Sequence, residues 1–410
     1  VLPLLPALAL YIALELLVLP VALVFLLLTA RHRASILRRF GAGLEPRKGS
    51  LWVHAVSVGE FLAGKQLIAA LKTKHPVLPL VVSTVTLTGR KVAVGAGADH
   101  CFFPFDLPFV VERFLGRLDP RVVVILETEV WPYFLWACRR RGVPVVVCNG
   151  RLSEASHRRY RRFRPLVGPF FGLLDRVLAQ GEADAERFRA LGAPRVESAG
   201  NIKYDAAEPA LTEAQTAWYR AFAAGRRGWV AGSTMPGEEP LVLAAHREVL
   251  KADPEAFLIL APRHPERGGE VASLLQKEGL SFVRRSGGGP AAPAQVLLLD
   301  VVGELAWAYS LGDPAFVGGS LVPAGGHNII EPALFRKAIL IGPHTHNFKA
   351  IVEDFRAREA VHVVGPERFA TAVAALFREP GPSGARAFAV VEANRGALDR
   401  TLAGLAPFLA

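Results

Sequence analysis

Short apolar, β-branched runs bounded by turn residues recur along the chain, each followed by a helix-like segment. In the first half they are Leu51 to Ser57, Leu78 to Val85, Val122 to Leu126, Val143 to Cys148, Arg176 to Ala179 and Arg195 to Ala199. An Ala-rich, strandless connector over 206–227 follows, and the pattern then restarts. Its second set is Trp229 to Ala231, Phe257 to Leu260, Val296 to Leu299, Ala315 to Val317, Ile339 to Ile341 and Val361 to Val363. Apolar strand, polar loop and helix in alternation predict a parallel sheet covered on both faces. Two such sets predict two Rossmann-like, doubly wound α/β domains over 31–205 and 228–384, facing a cleft. Ligands of such sheets bind beyond the carboxyl ends of the strands. A last helix over 385–410, set off by Gly381-Pro382-Ser383-Gly384, is expected to return to the first domain by fold analogy.

The segment before the first strand breaks this pattern. Residues 1–30 hold one charged side chain, Glu15, and are otherwise almost entirely apolar. About 20 such residues in a helix span the hydrocarbon core of a bilayer. Arg31, His32, Arg33, Arg38 and Arg39 follow at once, and flanking positive charge favours the cytoplasmic side. The basic residues come after the apolar run, and no small-residue cleavage site closes it, so a cleaved signal peptide does not fit. Residues 1–30 are therefore read as a single-pass membrane anchor that leaves the rest of the chain in the cytoplasm. An apolar helix lying half-embedded in the interface is the alternative, because Glu15 is costly at mid-bilayer.

A length of 410 residues suits two separate cores. Charge separates the halves: residues 1–205 carry 28 Lys and Arg against 16 Asp and Glu, and residues 206–410 carry 20 against 21. The half with the apolar segment is thus the half drawn to an anionic membrane surface or a phosphorylated acceptor. The run His157-Arg158-Arg159-Tyr160-Arg161-Arg162-Phe163-Arg164 concentrates that charge, either against lipid phosphates or as a solvated helix face. Zinc-ligand spacing, aromatic sheet motifs and basic zipper regions are missing from the sequence, which argues against nucleic acid as partner. Cys101, Cys138 and Cys148 lie in apolar runs without CxxC spacing and read as core thiols of a reducing compartment.

Candidate chemistry lies at the expected strand ends. In Val53-His54-Ala55-Val56-Ser57-Val58-Gly59-Glu60 a strand runs into a small-residue turn and a carboxylate at a helix start. Glu60 suits a general base for an attacking hydroxyl, or simply a helix N-terminus that favours negative charge. In Leu126-Glu127-Thr128-Glu129-Val130-Trp131-Pro132 two carboxylates follow a buried strand, where desolvation is costly without a partner or substrate. They either look into the cleft together or bond local backbone amides. Lys203, in Gly200-Asn201-Ile202-Lys203-Tyr204-Asp205, either stabilises negative charge on a departing phosphate or a sugar carboxylate, or is an ordinary surface lysine. The second half offers Pro262-Arg263-His264-Pro265, Val302-Gly303-Glu304, and Gly318-Gly319-Ser320 through Gly325-Gly326-His327-Asn328-Ile329-Ile330-Glu331. Backbone amides at the last helix start suit a phosphate, and Glu331 suits ribose hydroxyls. Dinucleotide and ATP signatures are not present, nor is an Asp-x-Asp pair, so a nucleotide held without metal fits best. His54, His264, His327, His344 and His346 lack tight ligand spacing and read as hydrogen-bonding loop residues.

Taken together, HAVSVGE, ETEVWP, NGRLSE, GNIKYD, AGST, PRHPER, VGEL, FVGGSLVPAGGHN, EPA and GPHTHNF occur in an order that resembles the lipid A Kdo (3-deoxy-manno-octulosonate) transferases, from Trp52 to Phe348. The resemblance implies a GT-B fold, CMP-Kdo as donor, the lipid A precursor of lipopolysaccharide as acceptor, and inverting transfer at the inner membrane without cofactor or metal. It carries the general base onto Glu60 and transition-state stabilisation onto Glu127 and Lys203. It carries the contacts to CMP onto Pro262, Arg263, Val302, Gly303, Glu304, Asn328, Ile329, Ile330 and Glu331. Val302 stands where the family usually has methionine, and Ile329-Ile330 where it has Pro-Leu. The rival readings are another GT-B transferase, a nucleotide-sugar epimerase, and a non-catalytic module that binds a polyanion at a membrane.

Overall fold

The first sheet is built from β1 (Leu51–His54), β2 (Leu80–Thr84), β3 (Asp99–Phe102), β4 (Val122–Leu126), β5 (Val145–Gly150), β6 (Arg176–Ala179) and β7 (Val196–Ser198). All neighbours are parallel, in the order β3-β2-β1-β4-β5-β6-β7. Every residue of β1, β4 and β5 is buried, as strands covered on both faces require. One face packs Trp52 with Phe103, Phe114 and Phe134, and the other packs Val53 and Val124 with Phe61, Leu67 and Leu71. Helices begin at polar caps: Ser57 and Thr86 accept from the backbone N–H of Glu60 and Gly89 and so start Val58–Lys74 and Leu87–Gly95.

The second sheet comprises β8 (Gly228–Thr234), β9 (Phe257–Pro262), β10 (Phe282–Arg284), β11 (Val296–Leu298), β12 (Ala315–Val317), β13 (Ile339–Ile341) and β14 (His362–Val363). It is also wholly parallel, in the order β10-β11-β9-β8-β12-β13-β14. The strand order therefore reverses between β1 and β4 in the first sheet and between β8 and β12 in the second, and a crevice opens at such points.

This computed structural model describes residues 4–28, 30–288 and 293–409, with the side chains of residues 19–34 outside the description. The chain divides into two compact units, Val1–Asp205 with Arg395–Ala410, and Ala206–Asn394. Two strands appear that the hydrophobic pattern does not reveal, β3 and β10. Both are outermost in their sheets, and Asp99-His100-Cys101-Phe102 and Phe282-Val283-Arg284 carry polar residues because an edge strand has a solvated side. The helix expected over 385–410 is two helices: Ser383–Asn394 in the second unit and Ala397–Leu405 in the first, parted by Gly396 in the left-handed region.

The backbone is helical over Leu4–Leu28, and side chains are described as far as Val18. Ala7 and Leu8 are buried against the first unit, whereas Leu5, Leu10, Leu14, Leu16, Leu17 and Val18 are exposed. Among the described residues no helix is long and apolar enough to cross a membrane. The anchor expected over residues 1–30 lies partly outside the described residues.

The carboxylate of Asp205 accepts from the backbone N–H of Gly396 at 2.6 Å and of Leu398 at 2.7 Å, capping the returning helix Ala397–Leu405. Replacing Asp205 by Ala is expected to cost about 1 kcal/mol of stability, measured by denaturant unfolding. An unchanged midpoint would show that these two bonds are not what holds the return.

Candidate active site

In the first unit the polar residues gather around the reversal between β1 and β4. Three residues separate β1 from the helix Val58–Lys74, and Glu60 takes the third position of that helix. Its Oε2 accepts from the N–H of Val56 at 2.6 Å, and its own N–H donates to the Ser57 hydroxyl at 3.4 Å, so the side chain folds back over the turn. The helix lies close on β4 because Gly64 faces Leu126, where a Cβ would collide. Burial raises the Glu60 carboxyl to about 7, and the charges of Glu127 and Glu129 push the same way against the Val56 hydrogen bond.

Glu127 directly follows β4 with a positive φ of 60°, a region that residues other than glycine enter at a cost. Two contacts hold it there. Its N–H donates to the Cys148 carbonyl at 3.0 Å, and its carboxylate lies 3.4 Å from the Lys203 ammonium. Glu129, two residues on, is raised to about 7 by burial. The structure thus brings Glu127 and Lys203 into contact, with Glu60 and Glu129 close enough for their charges to be felt.

Lys203 owes its place to a carboxamide network that motif reading did not identify. Asn149, buried at the end of β5 with φ 54°, accepts from the Ile202 N–H through Oδ1 at 3.1 Å. The Asn149 carbonyl accepts from Gln180 Nε2, whose Oε1 in turn accepts from Asn201 Nδ2. Asn201 Oδ1 then accepts from the Lys203 N–H at 3.1 Å. The only signal was Asn149 before Gly150 at a strand end; its partners lie 31 to 53 positions away in sequence.

His54 differs from expectation. It is the last residue of β1 rather than a loop residue, fully buried, with Nδ1 3.0 Å from the Ser83 hydroxyl and its ring stacked on Phe103 at 3.9 Å. Burial lowers it to about 3, so it is neutral. Among the described residues no group of three His, Cys, Asp or Glu is placed to hold a metal ion.

In the second unit the loops after β8, β9, β11 and β12 converge on the reversal between β8 and β12. Glu238, just before the helix Glu239–Ala252, is fully buried and accepts four backbone N–H bonds. Oε1 takes Ser320 at 3.0 Å and Leu321 at 2.9 Å; Oε2 takes Gly319 at 2.7 Å and Met235 at 2.8 Å. An internal carboxylate therefore fills the amide cradle of Gly319, Ser320 and Leu321, which is separate from the amides at the start of the helix Ile330–Leu334. Ile330 N–H is also engaged, by Asn328 Oδ1 at 3.1 Å.

Around this loop, Pro262 closes β9 and pairs with Thr234, and Arg263 and His264 follow, both exposed. Val302 is 85% exposed and Gly303 is left-handed. Glu304 beside them is bound within the unit: it accepts from Tyr219 at 2.6 Å, Arg285 at 2.7 Å and Gln215 at 2.8 Å. Although burial pushes the Glu304 carboxyl up, these bonds hold it below the usual range. Ile329 and Ile330 are core residues. Glu331 accepts from Asn328 Nδ2 at 3.2 Å, and burial raises it against the pull of that bond and of Arg263. Burial, with Arg263 and His264 nearby, lowers His327 to about 4.

Two parallel-sheet units with their polar residues at the strand reversals define the GT-B fold, and solved structures agree. The chain matches a glycosyltransferase from Rickettsia africae with a TM-score of 0.56 at 13% identity, over 88% of this chain and 98% of that one. It matches a UDP-N-acetylglucosamine 2-epimerase described as putative, from Listeria monocytogenes, with a TM-score of 0.57 at 13% identity, over 87% and 96%. The narrower assignment comes from sequence. Residues 34–206 match the family model for 3-deoxy-D-manno-octulosonic-acid transferase (kdotransferase). The chain is 35% identical to the 3-deoxy-D-manno-octulosonic acid transferase of Haemophilus influenzae, over 92% of each chain. It is 36% identical to that of Bordetella pertussis, over 89% of this chain and 88% of that one. The chain belongs to the 3-deoxy-D-manno-octulosonic-acid transferase family.

Two outcomes follow from these environments. Glu60, Glu129 and Asp106 are each raised to about 7, chiefly by burial. A raised carboxyl favours the fold below its unfolded value and loses that contribution as pH rises through the folded value. Melting temperature should therefore fall between pH 5 and 8, and fall less in Glu60→Gln; identical slopes would show that Glu60 does not titrate there. Glu238→Gln turns one acceptor oxygen toward its amides as a donor, and should destabilise by about 3 kcal/mol, read as a lower urea midpoint.

Proposed function

We propose that this glycosyltransferase moves 3-deoxy-manno-octulosonate from its CMP-activated form to the lipid A precursor of lipopolysaccharide, with inversion. Family membership supports the sugar and the lipopolysaccharide context. The observation that carries the mechanism is the Glu60 carboxyl at the β1–β4 reversal, raised to about 7 by burial and by Glu127 and Glu129. A group of that strength can take a proton from a sugar hydroxyl near neutral pH.

In this reading the acceptor hydroxyl attacks the anomeric carbon on the face opposite CMP. The new C–O bond forms as the bond to the phosphate oxygen breaks; the proton passes to Glu60, and the electron pair leaves on CMP. Lys203, held against Glu127 at 3.4 Å, supplies positive charge for the sugar carboxylate or the departing phosphate, and Glu127 orients the ammonium. The second unit takes the nucleotide. Arg263 is the exposed cation for its phosphate, Glu331 meets the ribose, and the backbone of Pro262, Val302, Gly303, Asn328, Ile329 and Ile330 lines the rest. Glu304 holds the Val302–Gly303 turn through its bonds to Arg285 and Tyr219. The chemistry as proposed uses no metal or cofactor.

The membrane reading belongs to this proposal. The exposed leucines of Leu4–Val18 suit a helix that enters the cytoplasmic leaflet of the inner membrane while its other side packs on the first unit. The arginines of the helix Glu154–Arg162 suit anionic lipid phosphates, since this helix has no buried residue.

Glu60→Gln is expected to reduce transfer at least 100-fold with CMP affinity unchanged, measured by product mass spectrometry and calorimetry. Near-normal turnover would remove Glu60 as the base. Transfer by the native protein should rise with pH through about 7 as Glu60 ionises, and a flat profile from pH 5 to 8 counts against the same assignment. Arg263→Ala should weaken CMP binding about tenfold.

A further inference from the structure

Beneath the proposed nucleotide site lies a polar group for which the free protein has no use. Tyr309 is fully buried, and among the described residues its hydroxyl has no hydrogen-bond partner. Buried polar groups without partners are rare because each forfeits its hydration without return. The fold has nevertheless made room for this one. The ring reaches β8 where residue 232 is glycine; a Cβ there would collide with the hydroxyl and stand 2.7 Å from ring carbon Cζ. Gly232 is in the strand that borders β12, at the reversal of the sheet.

The element packed against it carries a carboxylate with spare capacity. The turn Tyr309–Leu311 and the helix Leu305–Ala308 before it both pack against Ile330–Leu334, whose first turn carries Glu331. A carboxylate has about four acceptor positions, and Glu331 uses one on Asn328. The two groups sense each other: the Tyr309 phenol is raised well above its ordinary value, first by burial and then by the charge of Glu331.

We propose that Tyr309 is a positioning residue for nucleotide binding: when ribose hydroxyls engage Glu331, the Tyr309 hydroxyl donates to the same carboxylate and fixes its orientation. This rests on the reading that Glu331 meets the ribose. It accounts for a buried hydroxyl that is unpaired in the free protein, since the bond is completed only with ligand present. Tyr309 itself does not touch the substrate.

Tyr309→Phe separates this role from simple packing. Removing an unpaired hydroxyl should leave the melting temperature of the free protein unchanged or higher, whereas CMP affinity by calorimetry should fall about tenfold. With the CMP-activated sugar, KM should rise and kcat stay unchanged. In a Glu331→Gln background the same substitution should add less than twofold. A lower melting temperature overturns the proposal, because the hydroxyl then has a partner in the free state. Unchanged CMP affinity in Tyr309→Phe, with affinity lost in Glu331→Gln, overturns it while leaving the nucleotide site intact. Native protein that binds no CMP overturns the functional reading and this inference with it.

Discussion

A parallel sheet covered by helices on both faces has no solvated side, and that constraint organises the whole molecule. Polar side chains are expelled from β1, β4, β5 and β9 except at their ends, so the chemistry collects in the loops that leave the carboxyl edge. Glu60 and Glu127 follow neighbouring strands, β1 and β4, for this reason and not through nearness in sequence. The same burial that shapes the sheets raises Glu60 and Glu129, so packing and acid–base character have one origin.

The two units treat their carboxylates in opposite ways. In the first, Glu60, Glu127 and Glu129 crowd one another, with Lys203 against Glu127. Such crowding costs stability and suits proton transfer. In the second, Glu238 and Glu304 are saturated by hydrogen bonds and act as fixed posts for the loops around them. Glu331 lies between these extremes, half-buried and, among the described residues, bonded through its side chain to Asn328 alone.

Much of this was legible in the sequence. Buried parallel strands announce themselves by apolar runs, and motif order carried the family. β3 and β10 escaped because edge strands keep polar residues, and the break at Gly396 escaped because the flanking segments are both helical. The posts and networks escaped for another reason. Glu238 reads as one of two acids at a helix start, and its partners Gly319, Ser320 and Leu321 lie some 80 positions away. Asn149 and Gln180 likewise acquire meaning only when β5 and β6 bring them beside Ile202 and Asn201.

The bonds from Gly396 and Leu398 to Asp205 also define what kind of object the second unit is. The chain leaves the first unit after Asp205 and re-enters it at Arg395, so exit and entry are tied together by a single side chain. Topologically, residues 206–394 are an insert in an otherwise continuous domain, joined through one doorway whose two jambs are hydrogen-bonded. Such an insert can be exchanged as a cassette without rethreading its host. A chain built this way is free to vary the inserted unit and its host as separate parts.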